Sequence, residues 1–525
     1  MEVNSYDQVE YPCYPFSQTH PDRIATIAKL HGMNPAPIEQ CRVLELGCGT
    51  GANFYPMAEA FPNSEFVGID LATPPIEEGQ RAVAELNFKN LHLHRADIMQ
   101  VNESLGKFDY IIAHGVYSWV PQPVREQLLK VCRQHLNEQG IAYISYNAYP
   151  GHYLRQMPRD MMRMHTRSIN EPMEKVTQGL ALLQLILKRF ENTENAKADL
   201  FGHLITNNLE ELEGFRHREG IYHDILAEEN TAFYFYQFAG QAAQQGLQYL
   251  SEADFCETNP VYFPEEVQAV LNQFGDENLI LKEQYMDYLK CRIFRQTLIC
   301  PTEVKLDRKP KPQLIKEFFI SAPGLKNLGE INLAVGVIEE FKVSERTKLR
   351  TDFPAAKAVL VELATIRPRT VGFAELILRA SRRLHPDKVF SEEEQNIICE
   401  VLYSAYCADV IELRTVDLKI AAEIGSHPKT TVLARWQAVR QDVISNLLHA
   451  SVDIEAPLTL RLLQLMDGQH DTAQLLEKLL TTPEAEALKK EDGTPFSCAA
   501  ELSKHLEKSL PESLESLREN SLIVA

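Results

Sequence analysis

A short glycine-rich stretch near the start of the chain has the residue types of a ligand-binding loop. Residues 43–51 read VLELGCGTG, in which an apolar run leads into Gly47, Gly49 and Gly51. Glycines at alternate positions let the backbone approach a ligand closely and turn its N–H groups toward it. The loop also satisfies G-x-G-x-x-A, and Asp70 follows about 20 residues later, where dinucleotide-binding proteins carry a ribose-binding acid. The glycine pattern alone therefore leaves a dinucleotide ligand open.

The acidic residues around this loop favour a different ligand. Glu45 precedes Gly47 by two positions, where its charge would repel a pyrophosphate and attract an ammonium group. Asp70 ends the second predicted strand and Asp97 follows the third, so three carboxylates stand at three successive strand ends. Ribose hydroxyls suit a pair of acceptor oxygens, and the exocyclic amine of adenine suits a third carboxylate. S-adenosylmethionine combines an ammonium group, a ribose and an adenine, and meets these requirements.

Strands and helices alternate around these positions, from residue 41 to about residue 150. Five short apolar runs are predicted as buried strands, at 41–46, 64–71, 91–98, 108–115 and 140–147. Helical patterns occur at 52–61, 76–87 and 124–136. Such alternation predicts an α/β fold whose parallel sheet carries helices on both faces. Ligands of such sheets bind at the carboxyl ends of the strands.

The rest of the chain changes character more than once. Residues 159–225 look almost entirely helical, and 176–190 is apolar nearly all round, which is typical of a buried helix or a subunit interface. Aromatic-rich segments then predict further strands, at 231–240, 246–255 and 284–301. The helices before them therefore form an insertion in the sheet. A basic, proline-marked linker follows at 305–313, and the chain ends in mostly helical patterns that include a helix–turn–helix at 458–480.

Four motifs in this order resemble those of the class I S-adenosylmethionine-dependent methyltransferases. They are VLELGCGTG, FVGIDLA, HRADI and FDYIIAHGVYSWVP, all between residues 41 and 150. The resemblance implies a Rossmann-like sheet of seven strands. The expected cofactor-binding residues are Glu45, Gly47, Cys48, Gly49, Gly51, Asp70, Leu71, Asp97, Ile98, His114 and Gly115. Glu45 would face the methionine amino group, Asp70 the ribose hydroxyls, and Asp97 the adenine edge.

A narrower resemblance covers more of the chain. Segments at 4–33, 145–151 and 426–438 resemble bacterial methyltransferases that carry a methyltransferase regulatory domain. That group includes rickettsial enzymes that methylate lysines of outer-membrane proteins, so the resemblance implies a lysine amine as acceptor. It also implies five regions, namely 1–158 as cap and cofactor core, 159–230 as a helical insertion and possible dimerisation region, 231–304 as the strands that complete the core, 305–440 as a middle regulatory domain, and 441–525 as a mostly helical C-terminal domain.

Aromatic and amide side chains follow the fourth and fifth strands, where the transferred methyl group is expected to lie. The candidate catalytic residues are Tyr117, Trp119, Tyr146, Asn147 and Tyr149. Hydroxyl and amide oxygens can orient the lone pair of an acceptor amine. Tyrosines of the N-terminal segment, at positions 6 and 11, are expected to close over the methyl group as cap segments do in the resembling group. No metal is expected, because His92 and His94 lack an apparent third ligand.

Composition narrows the partners and the location. The 525 residues carry 53 basic and 73 acidic side chains, a formal charge of −20 that suits a phosphate backbone poorly. No apolar run approaches the ~18 residues of a membrane span, and the N-terminus lacks the apolar core of a secretory signal. Ten scattered cysteines without a C-x-x-C pair indicate a reducing compartment. We therefore expect a cytoplasmic protein without a nucleic-acid partner and with a homodimer as a possible assembly.

Three functions remain open at this point. The first is methylation of a protein lysine, which an acidic surface would attract. The second is a small-molecule N- or O-methyltransferase, which an occluded acceptor pocket would favour. The third is a non-catalytic protein that senses S-adenosylmethionine, which an empty acceptor side would favour. The helix–turn–helix pattern carries too few basic residues for DNA binding.

Overall fold

A short N-terminal segment precedes a large mixed sheet. The computed structural model describes residues 5–190, 196–326, 328–344, 347–490 and 493–525. The chain begins with α1 (Ser5–Gln8), continues in extended form to residue 16, and then forms α2 (Pro21–Leu30). We call residues 5–16 the cap. A histidine ring before α2, that of His20, accepts from the Asp22 amide at 3.2 Å and so starts the helix.

The first half of the sheet is parallel, as the alternating pattern predicts. Its elements are β1 (Arg42–Leu46), α3 (Tyr55–Ala60), β2 (Glu65–Asp70), α4 (Thr73–Glu85), β3 (Leu91–Arg95), β4 (Phe108–Ala113), α5 (Gln122–His135) and β5 (Leu136–Ala148). The strands lie in the order β3-β2-β1-β4-β5, with Glu45 of β1 between Gly68 of β2 and Ile112 of β4. The carboxyl ends of these strands share one edge, where the predicted cofactor residues lie.

A helical insertion follows β5. It comprises α6 (His152–His165), α7 (Pro172–Lys188), α8 (Ala196–Glu213) and α9 (Arg218–Asp224). These helices bury their own apolar cluster, in which Val176 and Leu183 of α7 are fully covered. Leu185 on the opposite side of α7 is 64% exposed, so the nearly all-apolar helix has one uncovered face.

The chain then returns to complete the sheet. The elements are β6 (Ala232–Phe233), α10 (Phe235–Gln244), β7 (Leu247–Glu252), α11 (Glu265–Glu277), α12 (Leu279–Lys290) and β8 (Phe294–Pro301). Strand β8 runs antiparallel between β5 and β7, and the two-residue β6 pairs with the end of β5. The main sheet therefore has eight strands, namely the seven expected ones in the order β3-β2-β1-β4-β5-β8-β7 and the short β6 beside β5.

Two strand predictions in this segment are wrong over much of their length. The stretch 231–240 is mainly α10, because Phe235 and Phe238 bury one helical face. The stretch 284–301 divides into α12 and β8. Helix α12 turns acidic side chains inward toward Arg295, and burial of charge on a helix face is not visible in an apolar pattern.

The middle of the chain packs on the back of this sheet. Its elements are β9 (Phe319–Ser321), β10 (Glu339–Lys342), β11 (Lys348–Thr351), α13 (Pro354–Ile366), β12 (Val371–Gly372), α14 (Phe373–Leu384), α15 (Glu392–Cys407) and β13 (Glu412–Arg414). One continuous apolar core joins α2, one face of the main sheet and these helices. The buried Asp22 carboxylate of α2 also accepts from the Thr415 amide at 2.6 Å. The middle region is thus anchored to the cofactor half.

The C-terminal part is helical with a small hairpin. Its elements are α16 (Val432–Gln437), β14 (Val443–Ser445), β15 (Ser451–Asp453), α17 (Pro457–Leu465), α18 (Thr472–Leu480), α19 (Pro483–Glu486) and α20 (Ala499–Glu519). Helices α17 and α18 occupy the predicted helix–turn–helix at 458–480. Across the described residues, no helix has the length and apolar character needed to cross a bilayer.

Candidate active site

The glycine loop after β1 turns tightly because two of its glycines lie against neighbouring side chains. Gly47 has φ of +77°, and a Cβ there would lie 2.5 Å from Val116. Gly51 has φ of +75°, and a Cβ there would meet Leu93 at 2.7 Å. Backbone in this left-handed region strongly favours glycine. The spacing that suggested a ligand loop is therefore also required by packing.

A cavity of about 1080 Å³ opens over the carboxyl ends of the parallel strands. The expected cofactor residues that line it are Glu45, Gly47, Cys48, Gly49, Asp70, Leu71, Asp97, Ile98, His114 and Gly115. Gly51 is the exception, since it shapes the loop behind the cavity wall. A volume of this size exceeds the ~300–1,000 Å³ typical of small-ligand sites. The cavity has room for a cofactor and for part of an acceptor.

Glu45 is the most unusual residue of the cavity wall. Its side chain is buried, Oε1 accepts from Asn53 Nδ2 at 2.8 Å, and Oε2 has no hydrogen-bond partner among the described residues. Burial raises the pKa of Glu45 to about 8, because no cation compensates the charge. An ammonium group in the cavity would supply both the missing charge and the missing donor. The expected cofactor carries such a group, so the site fits it.

Asp70 joins the glycine loop to the start of α4. Its Oδ2 accepts from the Gly49 amide at 2.9 Å, and its Oδ1 accepts from the Ala72 amide at 2.9 Å. Burial raises the pKa of this carboxyl. Each oxygen keeps a second lone pair for a hydroxyl donor. Asp97 similarly accepts from the Met99 amide at 2.9 Å while lining the cavity. Both acids therefore hold backbone amides of the loops that follow β2 and β3, and both line the cavity.

His114 and Gly115 form the wall beyond β4. The His114 ring lies 3.9 Å from that of Phe16, centroid to centroid, and its Nδ1 is 2.9 Å from the Tyr143 hydroxyl. Burial lowers the pKa of His114 to about 4, so the imidazole is neutral near pH 7. Gly115 donates to Ser145 Oγ at 2.8 Å, and a Cβ on it would meet no atom within 4 Å. This side of the cavity is neutral and open.

The cap lines the cavity and contacts the end of α9. Tyr6 stacks on His223 with centroids 4.3 Å apart, and the Tyr11 hydroxyl lies 3.3 Å from both oxygens of Asp224. Asp7 accepts from the Thr73 amide at 3.1 Å. The cap thus bridges the cofactor loop region and the end of α9.

The five candidate catalytic residues divide into two groups. Trp119 and Asn147 line the cavity. Tyr117, Tyr146 and Tyr149 do not line it. Side chains alternate across a strand, so Asn147 and its neighbour Tyr146 point to opposite faces of β5.

The three tyrosines outside the cavity have other partners. The Tyr146 ring stacks on Phe238 at 4.2 Å, and the Tyr117 ring packs against Phe238 at 5.4 Å. Their hydroxyls reach other parts of the fold, since the Tyr117 hydroxyl donates to Gln241 at 2.5 Å. Tyr149 stacks on Tyr153 at 4.2 Å. The expectation that these three tyrosines contact the methyl group is therefore not met by the geometry.

Residues of the insertion complete the acceptor side, and sequence spacing did not single them out. Asn147 Nδ2 donates to Asn230 Oδ1 at 2.8 Å, and Asn230 Nδ2 donates to the Asp224 carbonyl at 2.8 Å. Asp224 lines the cavity, and burial raises its pKa to about 6. His152 and Arg159 of α6 line it as well. Only folding brings α6 and α9 beside β5, so no local motif marks them.

Comparison with known proteins identifies the family. Family models match residues 43–140 as a methyltransferase domain, 217–301 as a predicted methyltransferase regulatory domain, and 426–522 as the C-terminal winged helix domain of PKMT. An uncharacterized protein of Rickettsia prowazekii is 31% identical over 533 residues, which cover 99% of this chain and 94% of that protein. The structure of PKMT2 from Rickettsia typhi in complex with AdoHcy matches with a TM-score of 0.87 at 27% identity, covering 98% of this chain and 100% of that one.

These matches also locate the accessory regions. The regulatory-domain match runs from the loop before α9 to β8 and so covers the segment that completes the sheet, whereas the sequence suggested 305–440. The winged helix match begins at residue 426, ahead of α16. The bound S-adenosylhomocysteine of the related structure agrees with the cofactor expected from Glu45, Asp70 and Asp97. The chain belongs to the class I S-adenosylmethionine-dependent methyltransferases with a methyltransferase regulatory domain, the family that includes the rickettsial PKMT proteins.

Proposed function

We propose that this methyltransferase acts on the side-chain amine of lysine in a protein. The observation that carries the proposal is Asp224, a carboxylate in the cavity wall beside Tyr6 and Tyr11. Because its pKa is about 6, Asp224 is ionised near pH 7 and attracts a cation. Tyrosine faces add cation–π attraction for an ammonium group. An acidic, aromatic wall suits an amine better than a carboxylate or phosphate acceptor.

The proposed cofactor contacts follow the cavity wall. Glu45 pairs with the α-ammonium group, Asp70 accepts from the ribose hydroxyls, and Asp97 accepts from the adenine amine. Ile98 and Leu71 cover the adenine and ribose faces, while the loop formed by Gly47, Cys48 and Gly49 and the wall formed by His114 and Gly115 hold the methionine half. When bound, S-adenosylmethionine supplies an electrophilic methyl group on a sulfonium centre.

The chain's own residues prepare the acceptor. A lysine amine has a free pKa of about 10.4, so it enters as an ammonium ion and must lose a proton before it can react. Asp224 holds this ion and takes its proton. Asn147 is fixed through Nδ2 to Asn230, which leaves its Oδ1 to orient the amine. The cap and Trp119 exclude water from the reacting atoms.

Two further observations support a protein acceptor. The related structure carries the abbreviation PKMT, for protein-lysine methyltransferase, and it spans the same length of chain. The net charge of −20 favours encounter with lysine-rich partners. The same proposal includes a homodimer through the insertion, where Leu185 and Leu200 are 64% and 75% exposed, and a cytoplasmic location, which scattered free cysteines suit.

The first experiment compares acceptor classes. The full chain is incubated with S-adenosylmethionine and lysine-rich proteins, either native or with their amines acetylated, and with a panel of small amines and hydroxy acids. Mass spectrometry of peptides is expected to place methyl groups on lysines of the native proteins alone. If a small molecule gains a methyl group and none of the proteins does, the proposal would be replaced by a small-molecule methyltransferase.

A variant tests the role of Asp224. Asp224→Asn should lower kcat by ~10²-fold, the lower end of what a positioned base contributes, without weakening S-adenosylhomocysteine binding. Asp199→Asn, on the exposed side of α8, serves as the control and should match the wild type. Equal kcat values for Asp224→Asn and the control would remove Asp224 from the mechanism.

A further inference from the structure

The C-terminal region docks on the cofactor half through directed polar contacts. Glu59 at the end of α3 accepts from the Val432 and Leu433 amides at 2.6 and 3.0 Å. Glu85 at the end of α4 accepts from Trp436 Nε1 at 2.8 Å and from Arg440 at 2.7 Å. Both acids belong to helices that flank the cofactor loop. The winged helix region therefore has one fixed orientation toward that loop.

The turn between β14 and β15 reaches the cofactor site itself. Its residue His449 is 2% exposed, and its Nε2 lies 2.9 Å from Asn53 Oδ1. Asn53 in turn donates from Nδ2 to Glu45 Oε1 at 2.8 Å. Because Nδ2 is the donor to the carboxylate, Oδ1 is the acceptor and His449 Nε2 must carry a hydrogen. A continuous chain of hydrogen bonds therefore runs from the C-terminal region to Glu45.

Asn53 is a junction for three parts of the molecule. Its Oδ1 also accepts from the Phe16 amide at 3.1 Å, and Thr19 Oγ1, which donates to the Phe16 carbonyl at 2.8 Å, lies 3.1 Å from the same oxygen. The end of the cap, the start of α2 and the C-terminal turn thus converge on one side-chain oxygen. Their donors fix the amide plane of Asn53, and the amide plane fixes the direction of its bond to Glu45.

His449 occupies this place at a conformational cost. Its φ is +61°, in the left-handed region that few non-glycine residues adopt. Its ring is buried against His20 at 5.0 Å between centroids, and its Nδ1 has no hydrogen-bond partner among the described residues. A strained residue with a buried polar atom persists where the surrounding structure requires it, and such positions cluster at functional sites.

We infer that His449 is a positioning residue for cofactor binding, which holds Asn53 so that Glu45 faces the cofactor's α-ammonium group. The inference rests on the role proposed for Glu45. It makes the winged helix region part of the cofactor site, and it couples the docking of that region to cofactor affinity. By thermodynamic linkage, cofactor binding must then strengthen the docking by the same factor.

The test uses His449→Gly in the full chain, because glycine accepts the backbone angle and removes the donor. Calorimetric titration should show S-adenosylhomocysteine binding weakened by roughly 5- to 10-fold, the loss of about one oriented hydrogen bond. The effect should fall on KM for S-adenosylmethionine rather than on kcat. Added imidazole should restore part of the affinity. His427→Gly, an exposed histidine of the same region, is the control and should bind as the wild type does.

Two further variants separate the possible failures. If His449→Gly does not fold, two other variants replace it. His449→Gln keeps an N–H donor, and His449→Leu does not. The leucine variant should bind S-adenosylhomocysteine at least fivefold more weakly than the glutamine variant. Wild-type affinity in His449→Gly or His449→Leu, together with weak binding in Glu45→Gln, would overturn the inference and leave the role of Glu45 intact. Wild-type affinity in Glu45→Gln would overturn both. The inference about His449 would also be overturned if the glutamine and leucine variants lost affinity equally and imidazole did not restore the affinity of His449→Gly.

Discussion

Two buried acidic clusters lie on the same sheet and differ in how completely they are paired. Arg295 on β8 is almost fully buried, and its guanidinium nitrogens meet Glu252, Asp287 and Glu283. Glu45 on β1 is also buried, but it has one neutral amide partner and one oxygen without a partner among the described residues. The first cluster is complete within the chain, and the second lacks a cation. On one scaffold, complete pairing indicates structure and incomplete pairing indicates a ligand site.

The largest effect should come from breaking the complete cluster. Arg295→Met would leave the buried Glu252 and Glu283 carboxylates without their cation, although Asp287 would keep Arg292 at 3.2 Å. Breaking a buried pair in this way typically costs about 3–5 kcal/mol of the free energy of unfolding. Urea unfolding followed by circular dichroism measures it. Arg350→Met is the control, because Arg350 is 68% exposed and solvent screens its pair with Glu340, so its loss should leave the free energy of unfolding almost unchanged. Equal losses in the two variants would show that the Arg295 cluster has no special structural role.

Neutralising the incomplete cluster should have two effects of opposite sign. Glu45→Gln removes a charge that the unliganded protein buries without a cation, so the free energy of unfolding should rise at pH 8 and above. The same change should weaken S-adenosylhomocysteine binding by roughly 10- to 100-fold, since a hydrogen bond to a charged group contributes about 1.5–3 kcal/mol. Thermal unfolding and calorimetry measure the two effects. Glu77→Gln, on the exposed side of α4, should change neither. A fall in stability would mean that Glu45 has an internal cation after all.

The third effect concerns the pH dependence of cofactor binding. The unliganded Glu45 has a pKa raised from 4.5 to about 8 by burial, and pairing with an ammonium group requires the ionised form. Below pH 8, binding must therefore release a proton, and the affinity for S-adenosylhomocysteine should rise by up to about tenfold per pH unit between pH 6 and 7.5. Calorimetry in buffers of different ionisation enthalpy detects that proton. The release should vanish in Glu45→Gln; a release that persists there would assign the proton to another group.

The raised pKa also sets the sign of a stability change. The folded, unliganded protein holds the Glu45 proton to a higher pH than the unfolded chain does. Proton binding at Glu45 therefore contributes to the free energy of unfolding. This contribution is fully present below pH 4.5 and is lost as the pH rises toward 8. Saturating S-adenosylhomocysteine should reduce the loss, since the bound form needs the ionised carboxylate.

The cofactor half of the site follows from local sequence, because one strand, one turn and the next helix hold its residues. Glu45, Gly47 and Asp70 are recognisable because strand ends and glycine turns leave a short-range pattern. The same locality explains the parallel half of the sheet. Sequence also predicted the helical insertion, although not that its last helix would supply Asp224 to the cavity.

The acceptor half could not be predicted in the same way. Asp224 and Asn230 reach the cavity region from a segment far along the chain, and no periodicity links them to β5. His449, which reaches the cofactor side through Asn53, is equally remote from β1 in sequence. Tyr117 and Tyr146 were plausible from their place near the ends of two strands, yet both rings pack against Phe238 in the core, and alternation across β5 separates Tyr146 from its neighbour Asn147. The prediction for Tyr146 was wrong because successive residues of a strand face opposite sides, so a shift of one position moves a side chain from the cavity to the core.

The placement of tryptophan has a spectroscopic consequence. The chain has two tryptophans, and they report on different events. Trp119 lines the cavity with its indole N–H unpaired among the described residues, so its emission should respond to an occupant. Trp436 donates to Glu85 across the contact between the cofactor half and the winged helix region, under the Arg440 guanidinium at 4.3 Å. Replacing either tryptophan by phenylalanine leaves the other as the sole intrinsic fluorescence reporter. Trp119 would then report occupancy of the cavity, and Trp436 would report movement of the C-terminal region, without any attached dye.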